Sequence, residues 1–526
     1  MKSKIFNIIL LVISPSIVPA QQSAVWNDFK KSKEENKEAI LPDFSFSGYK
    51  YSEEAIPDVD FKKFDVRDYG ANGNDQKSDK EAIKKAIQAA SQNGEGVVFF
   101  PRGKYFINTK EDDQSILNIN SSRIVLRGEG DDENGSILFF DRDLPPANPT
   151  KLWTCPSAIK VSSPKEDEVL TKVISDSKRE TFSVEVEDAS KIKKNDWVIL
   201  EVLNNSKDLV KYDVQPLVPE PQWTSILEKG VQINERHQVA SVDDNIITFV
   251  DPIHYDVQAK HNWRLKKFEN LDHVGFEGIR FEGNWLKEFV HHRSAQDDGG
   301  WSVLSISDAT NSWIRDCTFK NVNRCAGFSS SAACTALDIT ILGKIGHSGI
   351  HASGSTGILL ANINDIAGMH HSTGVGGGST TCTVIWRSKH ADHTCFESHA
   401  SQPRCTLFDN VEGGFFSGRA GGARKNLPNH GRYLVLWNYK ETDEPELNFR
   451  FWATDSWWWK IVPPIIVGFH GTGTTFKEDE VHILESLGRP VEPESLFEEQ
   501  LKLRLGRLPA WLVEIKKVVQ ANNSSR

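Results

Sequence analysis

Methionine and cysteine are both scarce, at two and seven among 526 residues. An odd cysteine count leaves at least one thiol outside any disulfide within the chain. The spacings of Cys155, Cys317, Cys325, Cys334, Cys382, Cys395 and Cys405 fit no zinc site of the CxxC type. Basic residues are outnumbered, and a formal charge of −10 argues against a general nucleic-acid binder. No HExxH, P-loop or GxSxG string occurs, so nucleotide and serine-esterase chemistry find no support. The apolar run IFNIILLVI is too short to span a bilayer. With Lys2 and Lys4 before it and Val18-Pro19-Ala20 after it, residues 1–20 read as a secretory signal peptide. No cysteine follows that cleavage point, so no membrane anchor is expected and the protein is expected to be exported, bacterial and monomeric. Export permits disulfides, with Cys382–Cys405 the first candidate pair.

The rest is ordinary for a soluble protein, with 38% hydrophobic and 25% charged residues, apart from fifteen tryptophans. Its organisation is repetitive. Short apolar segments start near Trp313, Ala336, Ile358, Thr383, Thr406 and Tyr433, at steps in the twenties, each followed by Gly, Ser and His rather than by a helix. One strand per period of that length indicates a β-solenoid, in which coils stack to share a core. Arg324, His347, His370 and His393 recur every 23 residues, as do Cys382 and Cys405. Parallel stacking is expected to line these four side chains up about 4.8 Å apart, along a wet groove.

Around this repeat the chain divides as follows. Residues 21–60 are a polar lead-in with a short helix in WNDFKKSKEENKE, wrapping the solenoid end. Residues 61–144 start the solenoid, with Ser78 and Glu81 as a capping box opening an amphipathic helix to about Ala90. Residues 145–262 (FSVEVEDASKIKKNDWVILEV, HQVASVDDNIITFVDPI) read as a β-rich insertion. Residues 263–440 are the main solenoid, and 441–526 close its far end, with an amphipathic helix near 494–515. Trp457, Trp458 and Trp459 cannot all face one side of a strand.

The string FDVRDYGANGN with GEGVVFFPRGKYFI resembles the opening of pectate-lyase superfamily right-handed parallel β-helix proteins. SHASQPR, NHGRYLVLWNY, KIVPPIIVGFHG and SLFEEQLKLRLG are similar to an uncharacterised group within it, found in bacterial carbohydrate-degrading proteins. The resemblance implies an all-β, right-handed parallel β-helix with a capping helix, but carries over no catalytic residue.

Titratable groups concentrate in WRSKHADHTCFESHASQPR, residues 386–404. For β-elimination on a uronate polymer, a base, a proton donor and a group neutralising the carboxylate are required. His393 or His399 is the candidate base, Arg404 the neutraliser, and Glu397 an orienting partner or metal ligand. Arg324, His347, His370, His371, Lys389, Arg419, Arg424 and His430 are candidate substrate-binding residues of a cationic groove floor. Glycine-rich GVGGG and GRAGG strings fit tight turns where a ligand approaches the backbone. The expected activity is a lyase acting on an acidic polysaccharide. Two alternatives stand beside it: a glycoside hydrolase drawing on Asp297, Asp298, Asp308, Asp316, Glu397 or Asp409, and a non-catalytic glycan-binding solenoid. No cofactor or metal is required by any motif; calcium is a possible participant, at Asp297-Asp298 beside His291 and His292.

Overall fold

The computed structural model describes residues 21–164, 168–415, 421–453 and 459–524. The signal stretch, Arg419, Trp457 and Trp458 therefore lie outside the described residues. The chain folds as a right-handed parallel β-helix. One long parallel sheet runs from Lys63–Asp65 through Trp313–Lys320, Thr335–Leu342, Thr356–Asp365, Thr381–Trp386 and Arg404–Asp409 to Ile483–Glu485. A second parallel sheet of seven strands includes Ser302–Ser307, Arg324–Ser329, Ser348–Ser353, Gly374–Gly376 and Glu397–Ser398.

Register explains why the repeats stack. Ile314, Ala336, Leu360, Ile385, Phe408, Leu436 and Ile466 lie opposite one another coil after coil. All are buried in the central core. Within or just after the strands of the long sheet, a second column bends the chain. Gly278, Asp316, Asp338, Asn362, Arg387, Asn410, Asn438 and Gly468 all adopt left-handed φ, between 49° and 71°. Gly, Asn and Asp tolerate that conformation best. Arg387 is held there by Glu494 and Glu498.

The long sheet is buried on both faces, which is why Thr381–Trp386 reads as a continuous buried run instead of alternating. Its outer face, with Leu359, Val384, Leu407 and Val435, is covered by Trp26 and Phe29 from helix Ala24–Glu34 and by Phe497 and Leu501 from helix Leu496–Leu505. The terminal segments thus clad the side of the solenoid, not its ends. A break at Gly506, in left-handed φ, and Pro509 splits the single C-terminal helix expected near 494–515 into Leu496–Leu505 and Ala510–Ser524. Helix Lys80–Gln92 packs Ile83, Ala86, Ile87 and Ala90 against the first coils. The expected capping box does not form. Ser78 donates to Asp112 and Glu81 pairs with Lys84, while Asp79 accepts from the backbone of Asn72 and Phe106.

Between the early and main coils lies a six-stranded antiparallel sheet spanning Val169–Lys172 to Arg264–Lys267, with its own core around Trp223, Trp263 and Leu200. Ile159–Val161 still belongs to the parallel sheet, so the antiparallel part begins later than residue 145. All seven cysteines are free and buried. Cys382 and Cys405 do sit on adjacent coils, but both take left-handed φ (54° and 48°), and their sulfurs face the carbonyls of Asp43 and His254 respectively. Trp459 is buried.

Candidate functional site

On the seven-stranded sheet, Arg324 aligns with Ser348 and Ser348 with His371, which puts His347 and His370 opposite each other. His371 donates its backbone N–H to the His347 carbonyl at 2.9 Å, and His370 to that of Gly346 at 3.0 Å. The turn carrying His370 and His371 is built by Asp365, whose carboxylate accepts from Gly368 N, Met369 N and Ser372 Oγ at 2.6–2.9 Å.

The segment after strand Ile279–Gly283 brings two more imidazoles. Trp285 anchors it, donating Nε1–H to Ile345 O at 2.8 Å. Buried Asp297 then accepts from Val290 N and from Arg293. Asp298, fully buried, accepts from His292 N at 3.0 Å and His292 Nδ1 at 2.8 Å. His291 is half-buried and its ring lies 4.2 Å from that of His370, 5.3 Å from His347 and 5.2 Å from His371. Phe289 packs beside His347 and His370. The result is a cluster of imidazoles in which His292 is exposed, His291 and His370 are half-buried, and His347 and His371 are buried.

Hydrogen bonds fix the tautomers. His371 Nδ1 lies 2.7 Å from Glu397 Oε2, and Glu397 Oε1 accepts Gly421 N–H at 3.1 Å. His347 Nδ1 donates to the Asp298 carbonyl at 2.7 Å. Each ring therefore turns Nε2 towards the pocket, and the Nε2 atoms of His371 and His291 are 3.4 Å apart. Burial, then the imidazoles of His399 and His291, push His371 well below the usual histidine range. Burial, then His371 and Arg324, does the same to His347. Burial raises Glu397. Burial thus disfavours the charged form of both partners in the His371–Glu397 pair. His399, half-buried, has its ring 6.3 Å from His371 and directs Nδ1 at Ala400 O. Gly421 closes that side: a Cβ there would lie 2.4 Å from His399 Cδ2 and 2.6 Å from Glu397 Oε1. Arg324 reaches the other end, with Nη2 3.4 Å from His347 Nδ1. Burial holds its guanidinium below the usual value.

Of the residues singled out in the sequence, Arg324, His347, His370, His371, Glu397 and His399 meet here. His393 does not, because the chain turns at Ala391–Thr394 and carries its ring to an exposed groove lined by Asp365, Lys389, Asp392 and Glu412. Lys389 belongs to that groove as well. Arg404 is sealed in the seam with the antiparallel sheet, paired with Asp213 at 3.3 Å, donating to Gln232 O and packed over Tyr255, so it cannot neutralise a substrate carboxylate. His430 is fully buried between Gly431 O and Thr406 Oγ1. Arg424 is exposed and paired with Glu220. Among the hydrolase candidates, Asp409 caps helix Leu496–Leu505 through Ser495, Leu496 and Phe497, and Asp308 and Asp316 occupy left-handed turn positions. His291 and His292 were read in the sequence only as neighbours of an acidic loop. The HH pair beside DD was the available signal, but nothing local tied it to a coil 50 to 80 residues onward.

Residues 63–138 match the family described as "Rhamnogalacturonase A/epimerase, pectate lyase-like". The chain is a right-handed parallel β-helix whose first coils are similar to that family. Residues 368–515 of this β-helix protein, which include His370, His371, Glu397 and His399, match "Domain of unknown function (DUF4955)". Two curated relatives are similar over short stretches. One is "Plasmin and fibronectin-binding protein A" of Streptococcus pneumoniae, 36% identical over 101 residues, 17% of this chain and 14% of the relative. The other is "Alginate lyase 7" of Azotobacter vinelandii, 32% identical over 68 residues, 13% and 8% respectively. The matches thus span a small part of either relative's length. Among solved structures, the tailspike protein gp49 from Pseudomonas phage LKA1 aligns over 78% of this chain and 64% of its own, with 12% identity and a TM-score of 0.47.

Proposed function

We propose that this β-helix protein acts on polysaccharide, and that it cleaves an acidic, uronate-containing polymer by β-elimination in the imidazole pocket. The observation that carries the reading is the His371–Glu397 pair: Nδ1 is held at 2.7 Å by a buried carboxylate, which turns Nε2 the other way, towards His291. In the reaction, His371 Nε2 takes the proton α to the sugar carboxylate. The electrons of that C–H bond form the C4–C5 double bond as the C4–O bond breaks, and the leaving oxygen takes a proton from His399. Arg324 at the far end supplies positive charge towards the substrate carboxylate. Elimination fits better than hydrolysis because Asp297 and Asp298 are engaged in holding the histidine loop rather than flanking a cleft. The short likeness to an alginate lyase and the pectate-lyase-like family match support an acidic polysaccharide as substrate. Export, on this reading, rests on the N-terminal signal stretch.

The test is digestion of alginate, pectate and glucuronan by the purified chain, following ultraviolet absorbance and reducing ends together. Elimination raises both. New reducing ends without absorbance would make the protein a hydrolase, and binding without either product would make it a non-catalytic lectin-like solenoid.

A further inference from the structure

The end of the pocket nearest Asp298 has a composition that the elimination mechanism does not use. His291, His292 and His347 each bring one ring nitrogen within 4.8 Å of the others. Two of the three are oriented by the same residue. The Asp298 carboxylate accepts from His292 Nδ1 at 2.8 Å and the Asp298 carbonyl from His347 Nδ1 at 2.7 Å. A carbonyl oxygen can only accept, so the His347 proton sits on Nδ1 and its lone pair on Nε2. This is the arrangement by which outer-shell oxygens aim imidazoles at a metal ion. His292 also holds a left-handed φ of 60°, fixed by the bond from its own N–H to Asp298. Such backbone strain in a non-glycine residue persists where surrounding bonds over-determine it.

We infer that His291, His292 and His347 bind one divalent transition-metal ion of the zinc class, with Asp298 as the group that positions two of its ligands. Three imidazoles leave a fourth position open, and tetrahedral Zn–N bonds of about 2.0–2.1 Å place ligand nitrogens roughly 3.3 Å apart. The rings of His291 and His292 already lie 3.7 Å apart, with His292 exposed and His291 half-buried, while His347 is buried. Calcium is disfavoured because it takes oxygen ligands. Arg324 beside His347 opposes a cation, and the buried carboxylate of Asp298 offsets it. If the elimination reading holds, the ion would add to the positive charge that Arg324 supplies towards the substrate carboxylate; that role alone rests on the reading.

The experiment uses the full chain stripped with a chelator and titrated with Zn²⁺ alone by calorimetry, then with Co²⁺ followed by its visible d–d bands. One Zn²⁺ per chain and intense tetrahedral-type Co²⁺ bands are expected. H291A, and H292N in which asparagine keeps the left-handed backbone, should each weaken Zn²⁺ by on the order of 100-fold. H393A, removing an exposed histidine of the other groove, should bind as the parent does. His292 is exposed and His291 half-buried, and circular dichroism and thermal melting of the metal-free variants check that they fold. Absence of stoichiometric binding, parent-like affinity in both H291A and H292N, or an equal loss in H393A overturns the inference. Zn²⁺ bound at this trio with no uronate polymer cleaved would leave the inference standing and remove the lyase. Elimination in a protein that binds no Zn²⁺ would do the reverse.

Discussion

Two histidine neighbourhoods sit on the same coils and differ in nearly everything but sequence spacing. Around His371, imidazoles face one another behind the 284–300 segment and the ring of Phe289, with carboxylates reached only through Nδ1. Around His393, the groove is open and its charges alternate: Lys389 and Lys440 both approach Glu412, and Thr442 donates to Asp392. Exposed pairs of that kind contribute little, because water and salt screen them. A fixed period therefore delivers a histidine to each coil, and the walls around it decide whether that histidine becomes chemically unusual.

The largest expected effect separates the two directly. H371A should lower depolymerisation about 10²- to 10⁴-fold, the range for a lost general base, whereas H393A should stay within about twofold; equal losses would erase the distinction. Next, Arg404 tests whether burial rather than reaction explains a charged residue on these coils. Breaking its buried pair with Asp213 by R404A should cost about 3–5 kcal/mol in urea unfolding, with activity per folded molecule retained. A smaller effect is expected for E397Q, which loosens the hold on His371 and should reduce the rate about 100-fold without a comparable loss of stability.

His237 sharpens the comparison from the opposite side. It is as buried as His371, yet Asp251 lies 2.8 Å from Nδ1 and Glu235 3.3 Å from Nε2. Burial opposes its charge, but the two carboxylates outweigh burial and push it up to about 9. A raised pKa in the folded state means that the stabilisation is complete below the unfolded value of about 6.5 and is lost as pH rises through about 9. Unfolding midpoints should fall over that window, and H237Q should flatten the slope. Least of all, K389A should change stability by under about 1 kcal/mol, measured by the same unfolding experiment.

The solenoid was legible because its signal is local and repeated. Apolar strands at a near-constant step, a capping helix near Ile83 and the opening motif each specify stacking without knowledge of distant contacts. The column of Asp, Asn and Gly was equally present, at Asp316, Asp338, Asn362, Asn410 and Asn438, and marks the register more cleanly than the histidines do. The continuous burial of Thr381–Trp386 instead reflects helices from both ends of the chain folding over the sheet.

From the sequence alone followed the coil period, the parallel stacking and the gathering of Arg324, His347, His370, His371, Glu397 and His399 on neighbouring coils, since a repeat of apolar strands has few ways to bury its faces. Which of the flagged charges would face water did not follow. Arg404 and His430 went inside, His393 swung to another groove, and His291 and His292 arrived from a loop some 50 to 80 residues earlier. Those outcomes depend on which long-range surfaces pack together, and desolvation by partners distant in the chain leaves no mark on a residue's own neighbourhood in sequence.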